Sequence, residues 1–259
     1  MNSKKPRRVG QKQTEVNLDH IEVDEREKKI YQVYQKPKIT FDLKIGEFPW
    51  TEKQQNIIET ALSKNHKMTT VNGVYGSGKT LLAVYCCLQL LQKRKISNIL
   101  YLRNALQSGS GTLGWLGGDL ATRLSPYMVP FHQKLEELLP ASQVTKLIKE
   151  NIVESQAAAL IRGTSFNSYG IILDEIGCMT EDDIILALSR VGKFSHVFCV
   201  GSTKQTDIHD SGFQKIYKIF DDEESRDNGV FTYELNDEMD IQRSEFVRFV
   251  MRKMNMTNV

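Results

Sequence analysis

Gly73-Val74-Tyr75-Gly76-Ser77-Gly78-Lys79-Thr80 is the stretch on which the reading of this chain turns. It matches G-x-x-x-x-G-K-[ST] at every fixed position. Met68 to Asn72, before it, reads as a short strand, and Lys79 to Gln92, after it, as a helix. A glycine-rich turn between strand and helix is the setting this motif needs. Glycines let the backbone curl so that N–H groups converge on phosphate oxygens. The start of the helix adds a dipole that favours an anion. The pattern predicts a phosphate cradle from Gly73 to Thr80, continued by Leu81. Lys79 would meet the β- and γ-phosphates of a nucleotide, and the Thr80 hydroxyl would sit on Mg²⁺. The competing reading is a glycine turn that merely precedes Lys-Thr.

A phosphate cradle of this kind needs a second strand that ends in acid. Tyr169-Gly170-Ile171-Ile172-Leu173-Asp174-Glu175 supplies one. An apolar strand ending in two carboxylates places them at the carboxyl edge of a sheet, where open α/β sheets bind ligands. Asp174 is the candidate to hold Mg²⁺ through water. Glu175 is the candidate to orient and polarise an attacking water. Two adjacent acids are typical of ATP-hydrolysing proteins with this loop. An Asn-Lys-x-Asp segment, which would read guanine, is absent from the sequence.

Composition sets the frame. The chain has 259 residues, 40% apolar and 25% charged, which suits one large globular domain with a sizeable core. No apolar run approaches the ~20 residues of a membrane span. The basic opening, Met1 to Arg8, is followed by no apolar stretch, so a secretory signal is not expected. Cys86, Cys87, Cys178 and Cys199 lack metal or disulfide spacing, which points to reduced thiols in a cytoplasmic setting. His20, His66, His132, His196 and His209 are scattered, so no zinc site is expected. A net charge of +2 does not by itself argue for nucleic acid.

Along the chain, residues 1–45 are charged and poor in apolar anchors. They read as a flexible tail, or as an electrostatic arm for nucleic acid or a partner. Ile39 to Leu43 could form a strand joining it to the domain, residues 46–259. Helices are predicted over Gln54–Leu62, Leu120–Leu138 with interruptions at Pro126 and Pro130, Glu181–Val191 capped by Thr180, Gly212–Phe220 and Arg243–Met254. Further strands are predicted over Asn98–Leu102, His196–Val200 and Val230–Leu235. A glycine-rich loop fills 108–118. Strands alternating with helices imply an α/β fold, a mostly parallel sheet covered on both faces.

Several blocks in order carry a family resemblance. They are the loop at 73–80, Leu102-Arg103-Asn104-Ala105-Leu106, and Leu113-Gly114-Trp115-Leu116-Gly117-Gly118-Asp119-Leu120. Ile161-Arg162-Gly163-Thr164-Ser165-Phe166-Asn167 and Ile172-Leu173-Asp174-Glu175 follow. Gly201-Ser202-Thr203-Lys204-Gln205-Thr206-Asp207, Ser211-Gly212-Phe213 and Asp240-Ile241-Gln242-Arg243 complete the series. Over roughly 50–252 the chain resembles the PhoH-like ATPases, a branch similar to superfamily 1 helicases. The resemblance implies a single RecA-like P-loop domain and Mg-dependent ATP hydrolysis. It assigns Gln54 to the adenine edge, Gln205 to sensing the γ-phosphate, and Arg243 to a nucleotide phosphate. Gln54 read alone is a helix-face glutamine in water, Gln205 a loop residue and Arg243 a solvated charge. Arg103 and Arg162 are candidates for a nucleic-acid or inter-subunit side.

Four places depart from the family pattern: Ser202 after Gly201, Gly177-Cys178 after the acid pair, Thr164 directly after Gly163, and Gln107 in place of an acid. They leave the phosphate site whole and bear on its coupling to nucleic acid. A divergent member, such as one encoded by a virus of bacteria, would carry such changes.

The expected activity is that of an ATPase on RNA or single-stranded DNA, helicase-like. One RecA-like domain cannot clasp ATP between two. The expected assembly is therefore a head-to-tail homo-oligomer, a ring and possibly a hexamer, with Arg243 or a neighbour crossing the interface. The alternative is an ATP-dependent switch or assembly factor that binds a protein partner. A small-molecule kinase with 108–118 as its lid is a third reading.

Overall fold

The computed structural model describes residues 39–104, 120–204, 211–254 and 257. Residues 1–38, the glycine-rich loop at 108–118 and Gln205 lie outside the described residues, with the expectations placed on them.

Six strands form one sheet in the order β3-β2-β4-β5-β1-β6, all pairs parallel. They are β1 (Met68–Gly73), β2 (Asn98–Arg103), β3 (Val153–Ala157), β4 (Tyr169–Asp174), β5 (His196–Gly201) and β6 (Val230–Leu235). The helices are α1 (Glu52–Leu62), α2 (Lys79–Gln92), α3 (Leu120–Leu138), α4 (Ala141–Lys149), α5 (Glu181–Leu188), α6 (Phe213–Ile219), α7 (Glu223–Asp227) and α8 (Glu245–Lys253). This is a RecA-like P-loop architecture. Among the described residues no helix is long and apolar enough to cross a membrane.

A parallel sheet buried on both faces needs apolar residues at consecutive strand positions. The core shows why. Ile99, Tyr101, Ile172, Phe198 and Val200 face one layer with Ile57, Leu82, Leu88, Phe131, Leu135 and Leu147. Their neighbours Leu100, Leu102, Ile171, Leu173, Val197 and Cys199 face the other, with Ile184, Ala187, Phe213 and Ile216. Successive residues alternate between faces, as the pleat requires.

Helix ends follow their capping residues. Thr51 and Gln54 form a reciprocal capping box on α1, and Thr180 with Asp183 does the same for α5. Each such cap contributes about 1 kcal/mol. The helix at 120–138 runs unbroken through Pro126 and Pro130, where interruptions were expected. A proline removes one backbone hydrogen bond, and burial of Phe131, Leu135 and Leu138 holds the last turns in place.

Ile39 to Leu43 forms no strand. Ile39 and Leu43 instead bury their side chains in the core. The backbone donors are taken up by side chains: Leu43 N donates to Gln92 Oε1 at 2.7 Å, and Lys44 N to Gln143 Oε1 at 2.9 Å. A ladder is unnecessary where glutamines meet the backbone's needs.

Strand order positions the site. The loop after β1 and the acids after β4 flank the end of β5, so three strand ends converge. Asn72 at the end of β1 accepts from Thr203 N at 3.0 Å and donates to Glu234 at 3.2 Å. It joins the exits of β5 and β6 to that of β1.

Candidate nucleotide site

The loop from Gly73 into α2 turns on two glycines with left-handed φ, +80° at Gly76 and +73° at Gly78. Gly73 is needed for close approach: a Cβ there would lie 2.9 Å from the Leu235 carbonyl. Ser77 Oγ donates to Val74 O at 2.8 Å and closes the turn. Val74 and Ser77 are buried, whereas Tyr75 stands at the rim. Leu81 is buried in the first turn of α2 and reaches the cavity wall.

Lys79 lies inside this curl. Its Nζ donates to the carbonyls of Gly73 and Val74, each at 2.8 Å. Burial pulls its pKa down to about 8, against the opposing pull of Asp174 and Glu175. A buried ammonium held by carbonyls is poised to take an anion.

Thr80 Oγ1 donates to Asp174 Oδ1 at 2.9 Å. Tyr101 OH donates to Asp174 Oδ2 at 2.5 Å. Both carboxylate oxygens therefore have a fixed donor. The Tyr101 ring is itself fixed by stacking on Phe131, centroids 4.8 Å apart. Burial first, and then the adjacent Asp174 charge, raises the phenol pKa far above its ordinary range, so it stays a donor.

Glu175 follows with φ +51°, a left-handed conformation for a non-glycine residue. Such strain concentrates at functional positions. Its two carboxylate oxygens are gripped by Arg103, Nε to Oε2 at 2.9 Å and Nη2 to Oε1.

These groups border one cavity of about 570 Å³. Lys79, Thr80, Asp174 and Glu175 lie on its wall, with Gly201 and Ser202 from the end of β5 and Phe48, Lys134 and Glu137 at another edge. Its size is that of a small-molecule cleft.

A family model described as PhoH-like protein matches residues 48–255. The chain belongs to the PhoH-like family. It is 31% identical over 148 residues to a PhoH-like protein of Bacillus subtilis, covering 57% of this chain and 46% of that one. It is 31% identical over 136 residues to a PhoH-like protein of Mycobacterium leprae, 52% of this chain and 39% of that one. Against Protein PhoH of Escherichia coli the identity is 29% over 159 residues, 61% and 44% of the two chains. The matched part thus spans less than half of these relatives.

Within this PhoH-like domain, two expected residues sit in unexpected surroundings. Gln54 is fully buried. Its Oε1 accepts from Thr51 N at 3.0 Å and its Nε2 donates to Ser77 O at 3.0 Å. One end of the amide caps its own helix and the other ties α1 to the phosphate loop. Arg243 packs on the chain's own Gly76, and Gln242 N donates to Gly76 O at 2.8 Å. Arg243 lines the same cavity as Lys79.

Sequence reasoning missed Tyr101, Phe48, Lys134 and Glu137. The register of β2 against β4 brings Tyr101 opposite Ile172 and Arg103 opposite Asp174. No local motif announces that pairing.

Proposed function

We propose that this PhoH-like chain is a Mg²⁺-dependent ATPase that acts on RNA or single-stranded DNA as a homo-oligomer. One observation supports the catalytic part: Thr80 Oγ1 donates to Asp174 Oδ1 at 2.9 Å on the wall of the cavity that Glu175 also lines.

The donor set fits Mg²⁺. That ion prefers hard oxygens, takes one or two protein groups and leaves the rest to phosphates and water. Thr80 Oγ1 and Asp174 Oδ1 are such oxygens. Thr80 donates its proton to Asp174, which leaves lone pairs on the hydroxyl. Bound there, Mg²⁺ would neutralise charge on the β- and γ-phosphate oxygens. Lys79 would exchange its loop carbonyls for those oxygens. Backbone N–H groups of 76–80 would hold the β-phosphate. Glu175 would orient a water in line with the γ-phosphorus and take its proton, giving ADP and phosphate. Gln205 is the proposed sensor of the γ-phosphate. Arg243 is the proposed partner of a nucleotide phosphate, and in a ring Arg243 or a neighbour would cross the interface.

The alternative is a slowly hydrolysing switch that binds a protein partner. It is favoured by the grip of Arg103 on Glu175.

The test is steady-state ATP hydrolysis by wild type and Glu175→Gln, with and without single-stranded RNA and DNA. Turnover in wild type alone, raised by a nucleic acid, supports the proposal. Binding of ATP without turnover in any condition would sink it.

A further inference from the structure

We propose that Arg103 is a latch on Glu175, opened when the phosphate backbone of a single-stranded nucleic acid takes the guanidinium instead. The proposal rests on the ATPase reading above and concerns how that activity is regulated.

The latch is built by strand register. Arg103 ends β2 directly opposite Asp174, which ends β4, so Glu175 emerges beside it. Arg103 bonds both oxygens of the Glu175 carboxylate. A carboxylate so held spends two of its roughly four acceptor sites on Arg103, and that grip, rather than a water at the phosphate, sets its direction. Asn104 Nδ2 donates to Cys178 O at 2.6 Å and ties the exits of β2 and β4 together. The side chains, rather than the backbone, must therefore make the exchange.

The fold has little need of this pair. The Glu175 side chain is 51% exposed and that of Arg103 22%. A pair with one end open to water is screened and contributes modestly to stability, more for a bidentate fork than for a single contact. Weak pairs are also easily exchanged. An arginine fork that grips a carboxylate with two N–H bonds fits a phosphate equally well. A phosphodiester can thus displace Glu175 without cost to the core. The charged and titratable groups facing the pair are Asp174 and Tyr101, already bonded to each other, and Lys79, which feels the charge of Glu175 from the phosphate loop.

The terminal phosphate of the nucleotide competes too: the strand of Arg103 ends three strands from the P-loop strand, but its side chain lines the same cavity as Lys79 and Thr80. At about 4.8 Å per strand that is roughly 14 Å between strand axes. The nucleotide affinities in the test separate the two sources of phosphate.

The test compares ATP turnover by wild type, Arg103→Ala and Arg103→Lys, with and without polyuridylate, beside Glu175→Gln. Affinities for a fluorescent ATP analogue and for ADP, and thermal midpoints, are measured on each. A weak pair can bias two states about two- to fivefold, so Arg103→Ala should raise kcat by that factor without polyuridylate. Its KM should hold, and polyuridylate should no longer stimulate it. Arg103→Lys, with one point charge, should fall between. An equal or lower kcat in Arg103→Ala overturns the latch, and a lower one with weakened preference for triphosphate makes Arg103 a nucleotide ligand. If wild type turns over and Glu175→Gln does not, that failure is the latch's alone. If wild type and Arg103→Ala bind ATP and neither turns over, the ATPase reading falls and the latch with it. Should Arg103→Ala fail to fold, Arg103→Lys and Arg103→Gln decide by the same measures.

Discussion

Arg243 leans on Gly76 of its own chain so closely that a Cβ at Gly76 would lie 2.7 Å from Arg243 Cγ. The segment before α8 is therefore a wall of the phosphate loop. Its backbone donates to that loop as well, from Gln242 N to Gly76 O at 2.8 Å.

Gly76→Ala should fail twice over. The left-handed φ of +80° costs any other residue about 1–2 kcal/mol. The added methyl must also push Arg243 off the loop. We expect affinity for an ATP analogue to fall at least about tenfold, with a stability loss of about 1–2 kcal/mol. Fluorescence titration and urea unfolding check the two numbers.

Tyr101→Phe keeps the ring on Phe131 and removes only the donor to Asp174. Hydrogen bonds to charged groups contribute about 1.5–3 kcal/mol, and a loss in that range is expected in urea unfolding at neutral pH. ATP turnover should fall with it. A change under about 0.5 kcal/mol would mean that Thr80 alone holds the carboxylate.

His66 and His196 pair through their Nδ1 atoms at 2.9 Å, and His66 Nε2 meets Thr69 Oγ1 at 2.8 Å. Burial lowers both pKa values, His66 to about 3 and His196 to about 4. The unfolded chain takes protons below about pH 6.5 and the folded one does not. The stability held above that pH should therefore drain away as pH falls from 6.5 towards 4. The slope is up to about 1.4 kcal/mol per pH unit for each histidine. Urea midpoints between pH 7.5 and 4.5 test this. Replacing His66 by Gln should flatten the curve.

Lys79, lowered to about 8, should take up a proton when an anion arrives, because phosphate charge favours the ammonium. At about pH 8.5 binding of ATP should absorb close to half a proton or more, and at about pH 7 far less. Calorimetry in two buffers of different ionisation enthalpy reads the number. Equal heats at the higher pH would show that Lys79 is already fully charged.

Much of this was legible because it is local. Gly73 to Thr80 and Ile171 to Glu175 carry their own flanking strand and helix signals, and the structure places both at the same cavity. The strand at Val153–Ala157 was missed because Glu154, Ser155 and Gln156 give it no apolar run; it lies on the sheet edge. Helix α4 was missed too. Its buried contacts reduce to Val144 and Leu147, and no side chain caps its start at Pro140. Tyr101 looked like one more apolar strand residue, since only sheet register points its hydroxyl at Asp174. Gln54 was a candidate only through the family resemblance, and its full burial depends on how α1 meets the loop. Arg243 was visible as an arginine, and its partner was not, because that contact spans 167 positions of chain between Gly76 and Arg243.

Lys53 reaches Asp237 and Asp240, while Gln54 holds Ser77 and Gln242 holds Gly76. Segments from both sides of the sheet sequence thus clasp one loop. On the ribosome this has an order in time. The loop is translated with α1 already made, but its second support emerges only after β6 is complete. A nascent chain stopped at residue 235 would carry the whole signature without its clasp. Competence to hold a nucleotide should arrive only once residues 236–243 have been made, well after the loop itself.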